Sequence, residues 1–325
     1  MSEPGAGTTG GQPAASAVAA RRAFALFLAA WMASLGVLAL EGRSLAEPLM
    51  LATIFGFALP GLALLVCRGL PRRAPGPALA GEGALLTALA AAVTLYLATK
   101  GAVLAAITPA GAGPRLLETI DALAELVGFV VVPLLAYRVI LGRRPRELGL
   151  AWPPGLPQTR RRSWLAFAVV GAALAAIQLA IGTGARPLLD GSLAGRHWLL
   201  GPALAFLWMS IEAGVVEEVF FRVLLQSRLA ALTRSPVAGL FLSALVFGLA
   251  HAPGLWLRGA GALDGFGDAP SLGLAIATSI TTMGVAGLVF GVLWLRTRNW
   301  LLLVALHGLV DALANAPAFM DRWGL

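Results

Sequence analysis

Residues 199–226 read LLGPALAFLWMSIEAGVVEEVFFRVLLQ, an apolar run with ionisable side chains in its second half. A helix of about 20 apolar residues crosses the hydrocarbon core of a bilayer, and this run is long enough to do so. Ionisable groups inside such a span are costly to bury and are therefore functional candidates. The segment indicates an α-helical membrane protein, and its ionisable residues are the first candidates for a functional site.

The composition of the whole chain supports this fold class. Of 325 residues, 58% are hydrophobic and 12% are charged, and the mean hydropathy is +0.83, whereas soluble domains carry roughly twice that share of charge. The net charge of +8 arises from arginines clustered between apolar runs, a pattern typical of membrane topology and not of a nucleic-acid-binding face. The single cysteine, Cys67, leaves no disulfide framework.

Apolar runs recur along the chain and predict an all-α, polytopic transmembrane helix bundle with about nine spans (eight or nine). The predicted spans are residues 23–40, 48–67, 83–107, 122–140, 163–183, 199–226, 236–252, 272–295 and 299–316. Residues 1–20 are rich in Gly, Ala, Ser and Pro and are predicted to be a disordered tail. Residues 21–142 hold the first four spans, and residues 143–325 are predicted to be the functional unit.

The arginines predict the orientation of the bundle, because positive charge favours the cytoplasmic side. With the N-terminus in the cytoplasm and the C-terminus outside, the inside segments hold Arg21, Arg22, Arg68, Arg72, Arg73, Arg138, Arg143, Arg144, Arg146, Arg160, Arg161, Arg162, Arg228, Arg234, Arg296 and Arg298. The outside segments hold Arg43, Arg115, Arg186, Arg196, Arg258 and Arg322. We therefore expect a multi-pass protein of the cell (inner) membrane in this orientation.

The sixth predicted span contains the string EEVFFR at residues 217–222. Glu218 and Arg222 are four positions apart and share one helix face, so we expect them to pair. One carboxylate is enough for that pair, which leaves Glu217 as a candidate general base. The alternative is a buried ion pair that only fixes helix packing.

Two of the three histidines lie within later spans. Phe247 and His251 share a face of the seventh span, and His307 and Asp311 share a face of the ninth, where a carboxylate can orient or charge an imidazole. The third, His197, sits at an outside boundary. We expect the two histidines within spans to converge on Glu217 in a polar cavity walled by the sixth, seventh and ninth spans and open towards the cytoplasmic side.

The order EExxxR, FxxxH and HxxxN/D on separate helices resembles the CPBP superfamily over roughly residues 200–315. This superfamily comprises type II CAAX prenyl endopeptidases, bacteriocin-processing and immunity proteins, and abortive-infection (Abi) proteins. The resemblance implies a glutamate-type intramembrane endopeptidase without a cofactor. Its partner would be a membrane-anchored peptide or protein: a prenylated C-terminal peptide, a leader peptide or a C-terminal sorting tail. The oligomeric state stays open.

The resemblance also implies roles for individual residues. Glu217 and His251 would activate a water molecule, and His307 with the residue four later would stabilise the oxyanion. That later residue is Asn in the best-understood prenyl proteases and Asp311 here. Since an ionised aspartate opposes an oxyanion, we expect Asp311 to keep His307 protonated or to be protonated itself. The surrounding groups that support these four would be Glu218, Arg222 and Phe247.

Other functions remain as alternatives. Two histidines and two glutamates suffice to bind zinc, which would make the protein a zinc-dependent membrane protease, although an HExxH motif is absent. A scaffold or immunity protein of the same fold would keep the pocket without turnover. A transporter would favour inverted repeats, which the sequence does not show. The string GFGD at residues 265–268 spells the GxGD of presenilin-type proteases, but no partner aspartate lies in a preceding span.

Overall fold

The computed structural model describes residues 11–70, 76–154, 160–182, 184–190, 199–258 and 269–325. These residues are helical and contain no β-strand, which confirms the predicted all-α fold. The long helices in this part of the chain are α1 Gly11–Leu40, α2 Ala46–Val66, α3 Glu82–Ile107, α4 Pro114–Ile140, α5 Arg160–Ile181, α6 at residues 200–232, α7 Pro236–Arg258, α8 Leu272–Thr297 and α9 Trp300–Trp323.

Eight of these helices, all except α6, are long and apolar enough to cross a membrane. The chain is therefore a multi-pass membrane protein, and the lower of the two predicted span counts agrees with this number. Helix α6 occupies the sixth predicted span but carries several ionisable side chains. Its second half, residues 218–226, is buried throughout, so α6 lies among the other helices.

The helices are longer than the apolar runs that predicted them. Helix α4 begins at Pro114 instead of residue 122, and α7 continues to Arg258 instead of ending at residue 252. Helix α1 begins at Gly11, within the tail predicted to be disordered, while residues 1–10 lie outside the described residues. A hydropathy pattern stops at the first charge, but backbone hydrogen bonding continues through Ala, Glu and Arg, which favour helix.

Helix α6 separates two hydrophobic cores. On one side Val223 packs with residues of α1, α2, α5, α7, α8 and α9. On the other, Phe220, Phe221 and Leu224 pack with residues of α3, α4 and α7. Helix α8 is the most enclosed of the eight apolar helices, with 78% of an 18-residue apolar stretch buried, against 6% for the corresponding stretch of α3. Helices α6 and α8 therefore form the interior of the bundle and α3 lies at its edge.

Helices α6 and α9 approach each other closely at two glycines. A Cβ added to Gly308 of α9 would lie 2.0 Å from the Ser210 Oγ, and one added to Gly214 of α6 would lie 2.7 Å from the carbonyl oxygen of Val304. Residues 210–215 and 218–226 of α6 are π-helical, and such turns are frequent at functional sites. Close packing therefore sets the position of α9, and of His307 next to Gly308, against α6.

Side-chain contacts tie the helix ends into two groups. At the arginine-rich end, where α2, α4, α6 and α8 finish, Arg162 donates to the carbonyl oxygen of Arg68 and Arg296 to that of Cys67. At the arginine-poor end, where α3, α5, α7 and α9 finish, Arg115 donates to the carbonyl oxygen of Arg322. The helices thus alternate in direction as the arginine pattern predicted.

A buried ion pair joins α3 to α6 at the arginine-rich end. Arg228 contacts Glu82, whose side chain is fully buried, and also donates to the carbonyl oxygen of Pro77. We expect Arg228→Ala to destabilise the protein by about 3–5 kcal/mol, because it leaves an unpaired carboxylate in a buried place. Thermal unfolding in detergent measures this loss.

The exposed Arg21 provides the matched control, and Arg21→Ala should change stability by less than about 0.5 kcal/mol. Adding Glu82→Gln to Arg228→Ala should restore part of the lost stability. Equal unfolding temperatures for the Arg228 and Arg21 variants would show that the pair contributes nothing.

Candidate active site

Glu217 lies in α6 between the two π-helical stretches and retains 22% side-chain exposure. Its neighbour Glu218 is fully buried. The two adjacent carboxylates therefore occupy different environments, one at the surface of a cavity and one inside the protein. This division agrees with the predicted separation of a free carboxylate from a paired one.

Both predicted histidines approach Glu217, from α7 and from α9. The Nε2 atom of His251 lies 3.6 Å from Glu217 Oε1, and the Nε2 atom of His307 lies 3.5 Å from Glu217 Oε2. These residues are 34 and 90 positions from Glu217 in the chain, so only the folded bundle brings them together. The convergence expected from the motif order is present in the structure.

Glu218 makes two contacts with charged or chargeable groups. Its Oε2 atom lies 3.4 Å from the Nε atom of Arg222, and its Oε1 atom lies 2.8 Å from the Nδ1 atom of His307. The predicted pairing with Arg222 is confirmed, whereas the hydrogen bond with His307 was not predicted. Glu218 therefore links the arginine of α6 to the histidine of α9.

His307 is surrounded by three carboxylates. In addition to the two glutamates, the Oδ2 atom of Asp311 lies 3.5 Å from its Nε2 atom. Both ring nitrogens thus face carboxylate oxygens, and only a doubly protonated imidazole has a donor on each. The arrangement favours a positively charged His307, in line with the expectation that Asp311 helps to keep the ring protonated.

Phe247 connects the arginine to the other histidine. The guanidinium carbon of Arg222 lies 4.2 Å from the centre of the Phe247 ring, within the range of a cation–π interaction. The same ring meets the His251 imidazole edge-on at 4.8 Å. The Nδ1 atom of His251 lies 2.8 Å from the carbonyl oxygen of Phe247, and this contact directs Nε2 towards Glu217.

A cavity of about 590 Å³ adjoins Glu217 and His251. The residues that line it are Leu97, Lys100, Gly101, Leu104, Asp121, Glu125, Phe129, Glu212, Val216, Glu217, Phe221, Ala250, His251, Gly254 and Leu257. Its walls come from α3, α4, α6 and α7. The prediction of walls from the sixth and seventh spans is confirmed, but α9 supplies no lining residue and helices α3 and α4 supply seven.

The cavity extends from Glu217 towards the arginine-poor end of the bundle. Its lining includes Leu104 and Leu257, which lie within one turn of the ends of α3 and α7. In the opposite direction, residues 218–226 of α6 are all buried. The lining thus reaches the arginine-poor end, whereas the shallow positions of Glu217 and His307 had led us to expect an opening towards the cytoplasmic side.

Four ionisable residues of the cavity wall were missed by the motif analysis. The Nζ atom of Lys100 lies 2.8 Å from Asp121 Oδ1 and 2.7 Å from Glu125 Oε1, which braces α3 against α4, and Glu212 lines the cavity from α6. All but Asp121 fall inside predicted spans. Because ionisable side chains within a membrane span are functional candidates, these residues could have been predicted from the sequence.

Within the described ranges, no group of three or more His, Cys, Asp and Glu side chains is arranged to hold a metal ion. His197 and the GFGD string at 265–268, both considered from sequence, lie outside those ranges.

The contact of Glu218 with Arg222 predicts coupled effects on folding. Glu218→Ala and Arg222→Ala should each lower the folded yield and unfolding temperature, because each leaves a buried charge without its partner. The double variant should lose less stability than the sum of the two single variants. Unfolding in detergent measures all four proteins of the cycle, and strict additivity would contradict the pairing.

Comparison with known proteins identifies the family of this segment. The family model for type II CAAX prenyl endopeptidase Rce1-like proteins matches residues 199–313, which include Glu217, His251 and Asp311. No curated protein and no solved structure matches the chain. Residues 199–313 thus form an Rce1-like domain, consistent with the CPBP superfamily.

Proposed function

We propose that the protein is an intramembrane endopeptidase in which Glu217 is the general base. The observation that carries this proposal is the position of two imidazoles within 3.6 Å of the Glu217 carboxylate, at the inner end of a cavity. Hydrolysis of a peptide needs a base for water, donors for the oxyanion and an acid for the leaving amine. Glu217 and the two imidazoles can fill these three roles together.

Glu217 and His251 form the pair that activates water. The distance of 3.6 Å between His251 Nε2 and Glu217 Oε1 is too long for a direct hydrogen bond, and one water molecule beside the two atoms can contact both. The contact of His251 Nδ1 with the carbonyl oxygen of Phe247 places the proton of the neutral ring on Nδ1. Nε2 is then free to accept a hydrogen bond from the water, whose other proton passes to Glu217.

His307 stabilises the oxyanion as the water oxygen attacks the peptide carbonyl carbon. Its Nε2 proton faces Glu217 and Asp311 in the resting state. Once Glu217 has taken a proton, that carboxyl no longer competes for this N–H, which becomes available to the developing oxyanion. Glu217 then returns the proton to the leaving nitrogen as the carbon–nitrogen bond breaks, so that atoms and charges balance.

Replacement of Glu217 tests the base directly. Glu217→Gln keeps the shape of the side chain but cannot accept the proton, and kcat/KM should fall about 10²- to 10⁴-fold. Cleavage of a peptide library by purified protein in detergent provides the assay, and Glu41→Gln, at an exposed position, is the matched control. Membrane insertion and unfolding temperature should stay near those of the parent.

Activity within tenfold of the parent would remove Glu217 from the mechanism. Cleavage that is lost with a chelator and restored by zinc would support the zinc-dependent protease. No cleavage of any peptide by a folded parent protein would support the non-catalytic scaffold.

Substitutions of Asp311 test whether its carboxylate is needed to keep His307 positively charged. Asp311→Asn should retain activity within about tenfold, because Glu218 remains at 2.8 Å from Nδ1 and the amide can still contact Nε2. Asp311→Leu removes every polar contact at that position and should lower kcat by more than about a hundredfold. If the two variants lost activity equally, the negative charge of Asp311 would be essential. The assay is the same peptide cleavage.

A further inference from the structure

We propose that the substrate segment enters the cavity from the non-cytoplasmic side of the membrane. This inference rests on the proposed endopeptidase function and adds where its substrate is presented. It combines two independent observations, the position of the cavity along the bundle and the distribution of arginines between the two ends.

The lining residues of four helices define the position of the cavity along the bundle. Its wall uses residues 97–104 in the last part of α3 and residues 250–257 in the last part of α7. It also uses residues 121–129 in the middle part of α4 and residues 212–221 of α6, which runs in the same direction as α4. The segments of α3, α4 and α7 reach towards the arginine-poor end, and on α6 the lining ends at Phe221, one turn beyond Glu217.

The other side of Glu217 is closed by packed side chains. Phe220, Leu224 and Leu225 of α6 are at most 3% exposed and belong to the core shared with α3 and α4. Beyond them, the buried contact of Arg228 with Glu82 joins α6 to α3. In the described part of the chain, a peptide that came from the arginine-rich end would have to displace this core to reach Glu217.

The arginines assign the two ends to the two faces of the membrane. Among the described residues, fourteen of the arginines assigned from the sequence lie towards the arginine-rich end and five towards the arginine-poor end. This count assumes that successive helices run in opposite directions. The structure has this alternation, because side-chain contacts join the helix ends at each end of the bundle. Positive charge is retained on the cytoplasmic side, so the cavity faces the opposite compartment.

The substrate class that fits is an extracytoplasmic segment of a membrane-anchored protein. A prenylated C-terminal peptide in the cytoplasm would meet the closed end. The cavity wall also carries the carboxylates of Asp121, Glu125, Glu212 and Glu217 against one ammonium, that of Lys100. A suitable probe is therefore an uncharged or basic peptide with an amidated C-terminus, since a free carboxylate would be repelled.

Cysteine labelling tests the side of entry without any assay of activity. In a background in which the buried Cys67 is replaced by Ala, single cysteines are placed at the cavity mouth by Leu104→Cys and Leu257→Cys. Ala151→Cys marks an exposed position at the arginine-rich end as the matched control. A membrane-impermeant maleimide is applied to intact spheroplasts and to inverted vesicles.

We expect the two mouth cysteines to react at least tenfold faster in spheroplasts, and the Ala151→Cys variant at least tenfold faster in inverted vesicles. The reverse pattern would overturn the proposal, as would labelling of all three positions from one side.

A second arm adds the amidated peptide, in membrane-impermeant form, to intact spheroplasts of the parent and of Glu217→Gln. Cleavage by the parent alone, without permeabilisation, is the expected result, and cleavage that requires permeabilisation would overturn the inference. If labelling shows an outer entrance but no peptide is cleaved in spheroplasts or in detergent, the endopeptidase function fails while the side of entry stands.

Discussion

The structure depends on the burial of one carboxylate, that of Glu218, beside the cavity-facing Glu217 in a helix surrounded by other helices. A buried carboxylate is tolerated only with counter-charges and hydrogen bonds. Arg222 supplies one from the same helix, and His307 supplies a second from α9 at 2.8 Å. The need to neutralise Glu218 therefore brings α9 to α6, and this contact leaves Glu217 facing the cavity between two imidazoles.

Backbone geometry makes that contact possible. Helix α6 is π-helical at residues 210–215 and again from Glu218, on either side of Glu217, which alters the faces on which neighbouring side chains emerge. Gly308 lies next to His307 and allows α9 to approach to a distance at which any Cβ would meet Ser210. The imidazole is thus positioned by a glycine contact and a buried hydrogen bond together, and this limits its freedom to move away from Glu217.

The fold and the central residues could be predicted from the sequence because both correspond to patterns of residues that are close together in the chain. Apolar runs predicted the membrane helices, and the spacing of Glu218 and Arg222 predicted their pair on one turn. The hydrogen bond between Glu218 and His307 and the walls of the cavity depend on how distant helices pack, which no spacing records. Lys100 and Glu125 were visible as ionisable groups in predicted spans, but nothing in the motif order connected α3 and α4 with Glu217.

In the proposed enzyme, the residues that would cleave the peptide and many of those that would contact it belong to different parts of the chain. The residues around Glu217 lie within 199–313, the segment matched by the family model, whereas Leu97, Lys100, Asp121 and Phe129 of the cavity wall lie before it. Lys100 is the single lysine of a chain otherwise rich in arginine, and its compact ammonium fits between two carboxylates of α4. Changes in α3 and α4 can therefore reshape the cavity, and with it the peptides that reach Glu217, while the Glu217–His251–His307 cluster stays intact.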